Sequence, residues 1–85
     1  MSKQSSRVLV VDDEPAIREM IQFALEKSGM KVDSAANAHE ALVQISNARP
    51  DIILLDWMMP GVSGIELVRR LRKDSYTADI PVIML

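Results

Sequence analysis

Three unbroken apolar runs, Val8-Leu9-Val10-Val11, Ile52-Ile53-Leu54-Leu55 and Pro81-Val82-Ile83-Met84-Leu85, constrain this chain more than any other feature. Each is too short for a membrane span, which needs about 20 apolar residues. None alternates apolar with polar, as a strand with one wet face would. Short continuous runs rich in Val, Ile and Leu are the mark of strands buried on both faces, which are mainly the strands of parallel sheets. A parallel sheet needs crossovers, and helical patterns lie between the runs. After the first run, Pro15 suits the opening turn of a helix, where its missing N–H leaves nothing unpaired, and the acids before it favour the positive helix end. Ile17, Met20, Ile21, Ala24 and Leu25 then repeat on one stripe, and Gly29 supplies the C-terminal cap. This predicts a first helix from about Pro15 to Ser28.

The middle of the chain continues the alternation. Lys31–Ala35 reads as a short strand whose mixed polarity suits a sheet edge. Asn37 with Glu40 makes an N-cap and a returning carboxylate, and Ala38, Ala41, Leu42 and Ile45 fall on one helical face. Arg49-Pro50-Asp51 ends that helix. Beyond the second apolar run, Pro60-Gly61-Val62-Ser63-Gly64 is turn chemistry. Ser63 and Glu66 form a second capping pair, opening a helix with Ile65, Val68 and Leu71 inward. A polar linker leads to the last run. The order β1-α1-β2-α2-β3-α3-β4 predicts an α/β protein with a doubly wound parallel sheet and helices on both faces. Residues 1–6 read as a solvated tail.

Composition removes several classes of function. With 85 residues there is room for one core. Zero cysteine excludes a disulfide scaffold, a zinc–thiolate site and thiol catalysis. A formal charge of −2 gives no electrostatic footprint for nucleic acid. No signal-peptide segment precedes the first strand, so the cytoplasm is the expected location and no membrane partner is expected. No Gly-x-Gly-x-x-Gly follows the first strand, which excludes a dinucleotide fold, and no phosphate-binding Gly-x-x-x-x-Gly-Lys loop occurs.

The chemistry lies in the acids. Asp12-Asp13 and Asp56 each follow the C-terminal end of an apolar strand, the edge at which open α/β sheets bind ligands. If the two strands are neighbours, three carboxylates converge. Such a cluster either traps a proton or holds a hard divalent cation. Few carboxylates in an open, hydrated position suit Mg²⁺ better than a calcium cage. A strand-end aspartate beside a cation also invites phosphoryl transfer to the carboxylate. The plainer alternative is that these acids only cap helices.

Val8-Leu9-Val10-Val11-Asp12-Asp13-Glu14-Pro15 and Ile52-Ile53-Leu54-Leu55-Asp56-Trp57-Met58-Met59-Pro60-Gly61-Val62-Ser63-Gly64 resemble the two signature stretches of response-regulator receiver domains, and the likeness runs along essentially the whole chain. The Asp-Trp-Met-x-Pro-Gly loop and the string on to Ile83-Met84-Leu85 look most like the phosphate-regulon transcription regulators within that family. The resemblance implies a three-layer, flavodoxin-like fold of strand order 2-1-3-4-5 over residues 7–85. It implies that Asp56 accepts a phosphoryl group from a sensor histidine kinase, which docks on the helix at 15–28. Asp13, Asp56 and the backbone carbonyl of Met58 would ligate Mg²⁺, with Asp12 acting through water, and Pro60, Gly61 and Gly64 would shape the loop. Such a domain assists its own phosphorylation and hydrolysis but turns over no independent substrate. DNA would be bound only by a C-terminal effector domain outside these residues.

The family's phosphate-binding hydroxyl, switch aromatic and lysine would follow Leu85. Lys31, Lys73 and Tyr76 sit on other elements and do not replace them. The expectation is therefore a receiver cut short in its fourth strand, whose apolar edge invites self-association. An aspartate-nucleophile phosphohydrolase is the alternative enzyme reading, but it calls for an acid where Met58 stands. A docking module that is never phosphorylated is the other. Among the remaining residues, Trp57 is placed either to report on the site or merely to pack over the loop. His39 reads as solvated surface. Arg69, Arg70, Arg72 and Lys73 complement a helix C-terminus.

Overall fold

A computed structural model describes residues 6–56 and 64–85 of the chain. Four parallel strands, β1 (Arg7–Val11), β2 (Lys31–Ala35), β3 (Ile52–Leu55) and β4 (Val82–Met84), stand in the order β2-β1-β3-β4. Three helices connect them: α1 (Pro15–Lys27), α2 (Ala38–Asn47) and α3 (Gly64–Lys73). Of the three apolar runs, the first two form the central pair and the third one edge, while the mixed-polarity strand takes the other edge as expected. In β1, Val8 to Val11 are all buried, because neighbouring strands and helices leave neither face to water.

Side chains alternate across the sheet. Leu9 and Val11 of β1, Ile53 and Leu55 of β3 and Ala35 of β2 pack with Ala38, Ala41 and Ile45 of α2, Leu67 and Leu71 of α3, and Ile80. Val8, Ile52 and Leu54 point the other way, where they line a groove with Leu25 of α1. Helices thus lie on both faces, the doubly wound arrangement.

The caps follow their residue types. Asn37 Oδ1 accepts from the Glu40 N–H at 2.8 Å, and the Glu40 carboxylate accepts from the Ala36 N–H at 2.8 Å. Gly29, at φ +91°, ends α1 in a Schellman turn, with Gly29 N–H donating to Glu26 and Met30 N–H to Leu25. A side chain at that backbone angle is strained, whatever the space around it.

Three expectations need correction. In α1 the apolar stripe is not buried: Met20 is 61 % and Ile17 37 % exposed, Ala24 is exposed, and Ile21 and Leu25 reach only half-burial. Periodicity fixes which residues share a stripe, whereas burial depends on how much partner surface the stripe meets. In α3 the inward residues are Gly64, Leu67 and Leu71, with Val68 alongside, while Ile65 is exposed. The helix is rotated to seat Leu67 and Leu71 in the core cluster. Finally, the supposed linker at 74–80 is a packed turn. Ile80 is fully buried, and the buried Thr77 hydroxyl donates to the Leu71 carbonyl at 2.6 Å. Arg72 donates to the Ala78 and Ile80 carbonyls, and Arg49 to the Tyr76 carbonyl, pinning the turn from two sides.

Candidate functional site

β1 and β3 are hydrogen-bonded neighbours in parallel register, with Val11 beside Leu55. The next residue on each strand is an aspartate, so the pairing carries Asp12 and Asp56 abreast at the C-terminal edge. The Asp56 N–H continues the ladder to the Val11 carbonyl at 2.9 Å, and the Asp12 N–H donates to Ala35 of β2 at 3.1 Å. A carboxylate oxygen from each of Asp12, Asp13 and Asp56 lies within 4.8 Å of the others. Asp12 is buried, Asp56 half-buried and Asp13 exposed.

The turn between β1 and α1 is held tightly. Asp12 Oδ1 accepts from the Glu14 N–H at 2.9 Å, and Arg18 Nη1 donates to the Asp12 carbonyl at 2.7 Å. Glu14 occupies the N-cap position and Pro15 follows in the first turn of α1. Three carboxylates this close repel one another, and a hard cation relieves that repulsion while using their oxygens as ligands. The graded burial fits such an ion: one side faces protein, and the exposed Asp13 side leaves room for water and for an incoming group.

All three acids singled out from the sequence are therefore brought together. Gly64 is buried at the start of α3. Trp57, Met58, Pro60, Gly61 and Ser63 lie outside the described residues. His39 is exposed on α2, as expected. Arg18 escaped the sequence reading; its signal was a cation on the stripe's flank six residues after an acid, a spacing that alone says nothing of contact.

The model of the response regulator receiver domain matches residues 8–85. The chain belongs to that family. Among curated proteins, a phosphate regulon transcriptional regulatory protein PhoB from Pseudomonas aeruginosa is 56 % identical over 92 % of this chain and 34 % of its own length. The PhoB of Escherichia coli is 49 % identical over 93 % of the chain, again 34 % of that protein. The chain thus spans about a third of the curated relatives it matches. Among solved structures, the N-terminal domain of a response regulator receiver protein from Methanoculleus marisnigri superimposes with a TM-score of 0.91 at 37 % identity, covering 95 % of this chain and 66 % of that one. Vibrio cholerae CheY4 gives the same score and identity over 95 % of this chain and 68 % of its own. The receiver fold and the likeness to PhoB read from the two motifs are both borne out. A receiver domain is a signalling module and not an enzyme in the ordinary sense.

Proposed function

We propose that this chain is the phospho-acceptor module of a two-component transcription regulator of the phosphate-regulon type, spanning residues 7–85 behind a tail at 1–6. Asp56 is the acceptor. Its carboxylate oxygen attacks the phosphorus of a phosphohistidine on a sensor kinase. The P–N bond breaks, its electron pair returns to the imidazole, and an acyl phosphate remains on Asp56. The observation that supports this most is the carboxylate trio at the ends of β1 and β3, with its oxygens within 4.8 Å. Asp13 and Asp56 are the proposed direct ligands of Mg²⁺, joined by the Met58 carbonyl, with Asp12 acting through water. Bound there, Mg²⁺ would offset the charge of the trio and of the phosphoryl oxygens.

Asp56, at the end of a central strand, has its main chain fixed by the ladder, so the acceptor oxygen needs little reorganisation. The kinase is proposed to dock on α1, where Ile17, Met20 and Phe23 are exposed. The apolar β4 edge is offered as a self-association surface, which sedimentation at rising concentration reads. DNA contact belongs to a separate effector domain of the kind the longer relatives' names imply, and the setting is the cytoplasm. Among the described residues no helix is long and apolar enough to cross a membrane.

Intact mass after treatment with acetyl phosphate tests the reading. One phosphoryl adduct is expected with Mg²⁺, none with EDTA, and none in Asp56→Asn. An adduct that survives Asp56→Asn, or none in the wild-type chain under any condition, sinks the acceptor assignment.

A further inference from the structure

Asp12 is the hinge of the site, since it contributes a carboxylate and its carbonyl belongs to the peptide that launches Asp13. A peptide unit is planar. Fixing the Asp12 oxygen therefore fixes the plane of the Asp12–Asp13 bond and the direction in which Asp13 departs. That oxygen lies one residue past β1, and the ladder bond from Asp56 goes to Val11 instead. What reaches it is the half-buried guanidinium of Arg18, at 2.7 Å from the second turn of α1. A hydrogen bond from a charged donor at this distance is among the stronger kinds. Arg18 is also tied into the helix, since its own N–H donates to the Glu14 carbonyl at 3.1 Å. The Glu14 N–H in turn donates to Asp12 Oδ1 at 2.9 Å. Strand end, turn and helix thus form one closed loop of hydrogen bonds.

We propose that Arg18 is a positioning residue for the acidic cluster, holding the Asp12–Asp13 peptide so that both carboxylates meet Asp56 around a divalent cation. The inference rests on the metal-bearing reading above. It also makes a prediction of opposite sign to simple electrostatics. A cation beside the site repels a divalent ion, so removing Arg18 would tighten Mg²⁺ binding if charge alone mattered. If Arg18 sets geometry, removal weakens binding, because two ligands lose their fixed direction.

The test titrates the full 85-residue chain with MgCl₂, following Trp57 emission, and with MnCl₂, following water proton relaxation. Wild type, Arg18→Met and Arg18→Lys are compared, with circular dichroism as the control for fold. Removing a group that orients a metal ligand typically weakens affinity by about 10–100-fold, so Arg18→Met is expected to bind about tenfold more weakly or worse. Arg18→Lys keeps the charge and one donor on a different arm, and falls between. The loss should persist at about 0.15 M salt, where charge effects between exposed groups are largely screened. Equal or tighter binding by a folded Arg18→Met overturns the proposal. If Arg18→Met does not fold, Arg18→Lys decides: weaker binding than wild type supports it, and equal or tighter binding overturns it. A wild-type chain that binds neither ion overturns the metal-site reading itself and this inference with it. A wild type that binds while the variants are unaffected defeats only the role of Arg18.

Discussion

The two faces of the sheet come from alternate residues of the same strands, yet they are covered very differently. On the α2–α3 face, Leu9, Val11, Ile53, Leu55, Leu67, Leu71 and Ile80 are each at most 1 % exposed. On the α1 face only the centre of the sheet is closed: Val8 and Val10 are buried, Ile52 and Leu54 are half-buried, and Ile83 of β4 is 49 % exposed. Strand composition does not distinguish them, since both faces carry Val, Ile and Leu. Coverage does. Among the described residues, α2, α3 and the packed turn at 74–80 lie on one face, and α1 lies on the other with Ile21 and Leu25 half-buried. The acidic cluster is the product of the central strand pair, where both faces are best closed, and that is why its acids stand on a stiff frame.

The sharpest test of this contrast uses two adjacent residues of β3. Ile53→Ala removes a fully buried side chain from the closed face and should lower unfolding free energy by about 2–5 kcal/mol. Leu54→Ala, on the open face, should lose less than half as much as its neighbour. Urea midpoints at constant slope read both, and equal losses would mean that the α1 face is closed in solution. A smaller loss, about 1 kcal/mol, is expected for Asn37→Ala, which deletes the cap that starts α2 over the closed face. Thermal unfolding measures it, and no change would show that the packing of Ala38, Ala41 and Ile45 holds the helix unaided. Least affected should be Met20→Ser on exposed α1, within about 0.5 kcal/mol. On the proposed docking of the kinase at α1, the same variant should weaken binding to a phosphohistidine-bearing kinase domain, measured by calorimetry, and unchanged binding would count against that docking surface.

Much of this was legible in the residues. The unbroken runs at 8–11 and 52–55 identify two central strands because only strands covered on both faces dispense with polar alternation. Asn37, Glu40, Pro15 and Gly29 mark helix ends through hydrogen bonds and backbone angles that span only a few positions. The acids at 12, 13 and 56 were readable as a site because each follows a strand, and the two motifs named the family. Burial was harder to read. Ile65 and Leu67 are equally apolar, and the choice between them depends on the rotation of α3 against the core. Thr77 and Ile80 sit in a segment that looks like a polar connection. Their surroundings come from outside the segment: α3 bonds Thr77 through the Leu71 carbonyl and Ile80 through Arg72, and Arg49 bonds Tyr76 and Asp79 of the same turn.

The sequence by itself therefore determined the elements, their order and the identity of the acids, since periodicity, capping and chain-end chemistry act over a few residues. Tertiary structure alone decided that Val11 pairs with Leu55. It also decided that Leu67 and not Ile65 is buried, and that Arg18 reaches the Asp12 carbonyl. Those outcomes depend on pairings between distant parts of the chain, and on which surfaces remain when the other elements have packed.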